Sequence, residues 1–204
     1  MKNYIIILLL LCFSFFSLQH FAQDTLVLIN GKQKTDLEFM KIQDEFIYYQ
    51  KWKGDKNKIK LIAQEDVYAI YTKEGQHIIT YKQDSIGFVL DEAKMFDYIE
   101  GMENAWDSYH NPYIFGVAFL ASAGSGYFLG LPVGLIVPVA FPGAIAMRQP
   151  SVNKLKHIPA DKAGNYYYVL GYQDVAKAKK VRSSVFGGLS GYCVGLAMNI
   201  AFMK

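Results

Sequence analysis

Residues 112–147 read PYIFGVAFLASAGSGYFLGLPVGLIVPVAFPGAIAM, 36 positions without one charged side chain. An apolar helix needs only about 20 residues to cross a bilayer. As a single helix this stretch would run about 54 Å, against a hydrocarbon core of about 30 Å. The chain must therefore turn or leave the apolar layer within it. One arrangement is a hairpin turning near Leu131-Pro132. The other is a single span from Tyr113 to about Val137, kinked at Pro132, with Pro138 and Pro142 opening an irregular interfacial stretch. Ala118, Ser122, Gly126, Gly130 and Gly134 recur every four residues. On a helix they form a smooth stripe that another helix can approach closely.

A second uncharged stretch, 183–203, carries Gly187, Gly191 and Gly195 at the same spacing. Two such stripes predict packed transmembrane helices, meeting within one chain or between copies in a homo-oligomer. Around these stretches the charge is segregated. Residues 24–111 hold 11 Lys and 16 Asp or Glu. Residues 148–182 hold eight Lys or Arg against Asp161 and Asp174. Acidic, apolar, basic, apolar is the order of a membrane protein. The positive-inside rule favours a single span through 112–147, which puts the basic segment 148–182 in the cytoplasm. The expectation is two spans in total, with three as the alternative. Hydrophobic residues make up 52% of the 204-residue chain and charged residues 19%. That charged share is below the roughly 25% of soluble domains, which excludes intrinsic disorder.

The N-terminus supplies the compartment. Lys2 precedes an almost wholly apolar run from Tyr4 to Phe16, and Ser17 to Gln23 turns polar. This is the layout of a bacterial export signal over 1–23. Leu11 before Cys12 is the wrong residue for lipidation. Once the signal is removed only Cys193 remains, so no internal disulfide can form.

Residues 24–90 predict a small β module. Thr25 to Ile29 leads into Asn30-Gly31, a strong turn signal. Strand patterns follow at Leu37–Ile42, Phe46–Tyr49, Ile59–Ala63, Val67–Tyr71, Ile78–Tyr81 and Ile86–Val89. Breaks fall at Lys53-Gly54-Asp55 and Glu74-Gly75. Turns about ten residues apart indicate an antiparallel sheet, small barrel or sandwich. Tyr48, Tyr49, Trp52, Tyr68 and Tyr71 read as core and cross-strand pairs rather than a stacking surface. The lysines between Lys51 and Lys60 read as a solvated hairpin. No nucleic-acid partner is expected of an exported chain.

Residues 91–111 predict an amphipathic helix. Asp91-Glu92-Ala93 suits its start, Phe96, Ile99, Met102, Trp106 and Tyr109 share a face, and Asn111-Pro112 ends it. Glu100, Glu103 and Asp107 lie on the opposite face, which reads as solvated rather than metal-binding. In 148–182, Asn165 to Arg182 looks helical. Lys177, Lys179, Lys180 and Arg182 lie just before the last apolar stretch. Such a run contacts anionic lipid headgroups or anchors topology.

Tyr98-Ile99-Glu100-Gly101 with Ala105 and Tyr109, and Gly171-Tyr172 with Ala176, Lys177, Lys179-Lys180 and Gly187-Gly188, carry a resemblance. With the order of parts, the chain resembles uncharacterised bacterial envelope proteins that have an export signal, a small β module and Gly-rich C-terminal membrane helices. The resemblance implies an envelope location and a mixed β and helical membrane architecture. It transfers no activity.

Little in the chain looks like catalytic chemistry. His77, His110 and His157 are far apart, and no HExxH, GxSxG, P-loop or Cys/His metal pattern occurs. Ser190 sits in an apolar stretch without the setting of a nucleophile elbow. No catalytic residue, cofactor or metal is expected. The expectation is an α+β membrane protein of the cell envelope, in the inner membrane with its β module in the periplasm. The module would meet membrane lipid or an envelope protein partner, and the glycine-lined helices would anchor the chain and let it oligomerise. A small channel or transport subunit is the alternative, with Ser122, Ser125 and Asn199 the few polar groups along a path. An enzyme site between the β module and helix 93–109 would need Glu100 or Glu103.

Overall fold

The computed structural model describes residues 23–53, 56–83, 90–150 and 158–202. Residues 1–22 of the signal expected over 1–23, the strand at 86–89 and the break at 54–55 lie outside the described residues. The chain forms two compact units, residues 1–28 with 33–81, and residues 29–32 with 82–204.

The first unit is an antiparallel sheet of β1 (Asp24–Leu28), β2 (Gln33–Gln43), β3 (Phe46–Lys53), β4 (Lys56–Ala63), β5 (Val67–Tyr71) and β6 (His77–Ile79), in the order β4-β3-β2-β1-β5-β6. β1 pairs on both edges, Leu26 opposite Lys34 of β2 and Ile70 of β5. β1 and its neighbour β5 are buried along most of their length. Leu26, Leu28, Leu37, Ile47, Tyr49, Val67 and Ile70 form the core cluster. The buried Asp24 carboxylate accepts from the backbone N–H of Phe39 at 2.6 Å and of Lys73 at 2.7 Å, tying β2 to the β5–β6 turn. Of the aromatic residues expected in the core, Tyr49 and Tyr68 are buried and Tyr71 meets His77 edge-on.

The second unit is helical: α1 (Glu92–Ser108), α2 (Pro112–Leu129), one 3-10 turn (Val133–Leu135), α3 (Ile136–Ala146) and α4 (Tyr166–Phe202). Asp91 caps α1 by accepting from Lys94 N–H at 2.9 Å. Asn165 does the same for α4, accepting from Tyr167 and Tyr168 N–H. Pro112 takes the first position of α2, where a missing N–H is harmless. Basic and apolar halves of α4 are one continuous helix of 37 residues, about 55 Å long.

α2 and α4 are long and apolar enough to cross a membrane. They run parallel. A Cβ on Gly187 would stand 2.5 Å from the Phe115 carbonyl oxygen, one on Gly191 would press on that of Phe119, and one on Gly195 on that of Ala123. Partner numbers rise together. α3 runs the other way, because Gly134 lies against the Tyr192 ring and Pro138 against Gly188. Residues 112–147 therefore double back. The fold-back is the hairpin arrangement near Leu131-Pro132, and α2 and α4 are the two helices with spanning length, as expected for two spans in total. Gly130, at φ 57°, ends α2 with its N–H on Gly126 O, and Gly134 N–H then bonds back to Gly130 O at 2.9 Å. The turn brings the chain home, so Lys162 meets Glu100 of α1 at 2.6 Å.

Candidate anion-binding cleft at the helix junction

α1 and the basic half of α4 cross at paired glycines. A Cβ on Gly101 would press on the Tyr168 carbonyl, and one on Gly171 on that of Tyr98. With the backbones this close, hydroxyls and amides of one helix reach the other. Tyr98 OH donates to Asp174 at 2.7 Å, Asn104 Nδ2 to Tyr168 OH at 2.5 Å, and Ser108 Oγ lies 3.1 Å from Tyr172 OH. Ile99 and Ala105 are buried here but Phe96 is exposed. The small residues turn the contact face away from the stripe read through Phe96.

Where α1 ends, its last carbonyls need partners. Lys179 of α4 supplies them: Nζ donates to Ala105 O at 3.0 Å, Trp106 O at 2.5 Å and Tyr109 O at 3.1 Å. A cation at a helix C-terminus is also favoured by the helix dipole. Burial pushes the Lys179 ammonium below its usual pKa, and Asp107 partly restores it. Of the four cations considered for headgroups, Lys179 is thus engaged inside the protein. Lys177 is half-buried and outside the cleft.

A cavity of about 630 Å³ opens beside this junction. Trp106 and Tyr109 form an aromatic wall, and Lys180, Arg182 and Ser183 enter from α4. Lys32 arrives from the Asn30-Gly31 turn, which docks on α1: Trp106 Nε1 donates to Asn30 O at 3.1 Å. Gly31 has φ 69°, and a Cβ there would collide with that of Met102. Lys32 Nζ lies 4.7 Å from the Trp106 ring centre and Lys180 Nζ 5.8 Å from that of Tyr109. Among the described residues none of Lys32, Lys180 and Arg182 forms an ion pair with a carboxylate. Burial alone pushes Lys180 below its usual pKa. Burial raises the Tyr109 phenol, held back by the hydrogen bond from Asn111. Asn111 Oδ1, also on the cleft, is buried without a hydrogen-bond partner among the described residues. Lys32, Trp106 and Asn111 escaped sequence reasoning as site residues, since only tertiary contact across 76 positions joins the turn to the helix.

The glycine stripes are accounted for within one chain. Ala118, Ser122 and Gly126 of α2 are buried where α4 presents Gly187, Gly191 and Gly195, and a Cβ on Gly126 would stand 2.7 Å from Tyr192 O. Gly130 leaves the helix as its cap, and Gly134 sits in the 3-10 turn against Ser125 O. Two of the three polar groups considered for a conducting path bond to backbone, while Ser122 Oγ is buried without a hydrogen-bond partner among the described residues. Ser125 Oγ donates to Gly134 O at 3.0 Å and Asn199 Nδ2 to Tyr127 O at 2.5 Å. Glu100, Glu103 and Asp107 hold no common ligand position: Glu100 pairs with Lys162, and among the described residues no three His, Cys, Asp or Glu side chains group as metal ligands.

No family model, curated protein or solved structure matches this chain.

Proposed function

We propose that the chain is a non-catalytic membrane protein of the bacterial cell envelope, anchored by α2, α3 and α4, with the sheet as its interaction domain. The outward faces of the helices carry the reading. Leu120, Phe128 and Phe202 are 72%, 72% and 73% exposed, while the inward face is glycine, alanine and serine. Apolar outside and small inside suits helices whose solvent is lipid. Soluble monomers rarely leave so much contiguous apolar surface in water. On the sheet, edge strand β4 exposes Ile59 (66%) and Leu61 (59%), and Phe46 of β3 lies on the same side. An exposed edge with apolar side chains is suited to pairing with a partner strand. A channel is not proposed, because Ser125 and Asn199 serve the helix ends.

Parallel α2 and α4 put α1, the cleft and the basic half of α4 at one membrane face. An exported sheet then means that all of these are periplasmic. The test replaces Cys193 by Ser and places single cysteines at Lys73, Lys162 or Lys204 in intact cells, with a membrane-impermeant thiol reagent. Lys73 and Lys162 should label, and Lys204 only after permeabilisation. Labelling at Lys73 without Lys162 overturns the shared face. Release of the chain by alkaline carbonate without detergent overturns the membrane anchor.

A further inference from the structure

We infer that the cleft bounded by Trp106, Tyr109, Lys180 and Arg182 binds the head of an anionic phospholipid, a phosphodiester whose substituent carries a hydroxyl. The inference rests on the membrane reading above and adds a ligand to it. Charge is the first argument. Lys32, Lys180 and Arg182 converge on one cavity, and no carboxylate pairs with them among the described residues. Lys179 beside them is held by three carbonyls, so the unpaired cations are the ones left to meet an anion. Charge-assisted hydrogen bonds from lysine and arginine are the usual means of holding phosphate.

Depth is the second argument. Arg182 is the last charge of α4 before its apolar half, and Pro112 begins the uncharged stretch of α2. Both line the cleft, which therefore sits at the level where headgroups lie if the helices enter a bilayer. Trp and Tyr are the side chains favoured at that level. A volume of about 630 Å³ admits a headgroup.

Asn111 narrows the chemistry. Its buried Oδ1 is an acceptor without a donor among the described residues. Fully ionised phosphate brings only acceptors and leaves that atom unsatisfied. A headgroup hydroxyl satisfies it while the phosphodiester faces the cations, as in phosphatidylglycerol. Choline offers no N–H or O–H and adds a positive charge.

The experiment uses the full chain in non-ionic detergent with Trp52→Phe, so that Trp106 is the only tryptophan. Its fluorescence is titrated with short-chain phosphatidylglycerol, short-chain phosphatidylcholine, or glycerol 3-phosphate. A saturable change with phosphatidylglycerol is expected, at least tenfold tighter than with phosphatidylcholine. Lys180→Gln with Arg182→Gln should weaken it at least tenfold, and Lys177→Gln, outside the cleft, less than twofold. Circular dichroism checks that each variant is folded. Equal response to both lipids overturns the inference. Glycerol 3-phosphate displacing the lipid at equal concentration assigns the cleft to a soluble phosphate and overturns the lipid source. Carbonate release of the unaltered chain removes the membrane reading and this one together. A detergent-requiring chain without a selective response removes only the headgroup site.

Discussion

At the scale of single residues, what surrounds a glycine decides what it does. Gly191 and Gly116 look alike in sequence, both inside apolar helices. A side chain on Gly191 would drive into the Phe119 carbonyl, whereas nothing lies within 4 Å of a Cβ on Gly116. Gly191→Leu should therefore lower stability by about 3 kcal/mol. Gly116→Ala should be neutral or stabilising by up to about 1 kcal/mol, as for a helical glycine with open space for a methyl group. Melting both in mild detergent checks the pair, and equal effects would contradict the close packing. Lys180 has the opposite history: its charge was legible, its partial burial was not. Burial holds its folded pKa below the unfolded value. Between those two values the unfolded chain binds more protons, so this contribution to stability rises as pH rises toward about 10.5. Below the folded pKa the full penalty of the buried charge applies. In lipid-free detergent, Lys180→Met should raise the melting temperature at pH 7 and flatten its climb toward pH 10. A steeper climb in the variant would count against a buried charge there.

At the scale of elements, periodicity and turn chemistry revealed more than contacts did. Six of the strand patterns and the starts of α1 and α4 have local causes, alternating β-branched or aromatic residues and an Asp or Asn cap. The β2–β3 hairpin has a less obvious one. Gln43 pairs with Phe46, and the two residues between them, Asp44 and Glu45, have φ 52° and 63°. That is a two-residue turn with both residues left-handed, a position favouring Asn-Gly. Asp44→Asn with Glu45→Gly should stabilise the sheet by about 1 kcal/mol. Denaturant unfolding of the full chain followed by tyrosine absorbance tests it, and a loss would mean that these side chains hold something further. The fold-back of 112–147 was only half legible. Composition allowed a hairpin at Leu131-Pro132, but the charge rule outweighed it, because no local signal records that Lys162 must reach Glu100. The cleft was hidden for the same reason. Its cations come from α4 and from a turn some 76 residues before Trp106 in the crossing helix's own frame of contacts, and such convergence leaves no periodic trace in either segment.

At the scale of the whole molecule, the charge pattern and the helix directions pull against each other. Eight cations in 148–182 favour the cytoplasm by the positive-inside rule, whereas the proposed export of the sheet favours the other face for everything beside α1. Because α2 and α4 are parallel, the basic segment must end on the face where α1 lies. The return through residues 133–146 is short, about 21 Å as helix, and holds Pro138 and Pro142. It cannot dominate orientation as a long apolar span would. If the proposed topology is right, the basic charge opposes translocation and the glycine-lined pairing of α2 with α4 overcomes it. Neutralising charge that lies outside the cleft and outside the carbonyl contacts should then ease export. Arg148→Gln with Lys177→Gln should raise the fraction of chains labelled from outside at Lys162, in a chain whose only cysteine is there. Gly191→Leu, by loosening the pair, should lower that fraction while leaving labelling unchanged in a second chain whose only cysteine replaces Lys73. A fall on neutralisation instead would show that the basic segment is held on the cytoplasmic face, and the sheet would have to be sought there too.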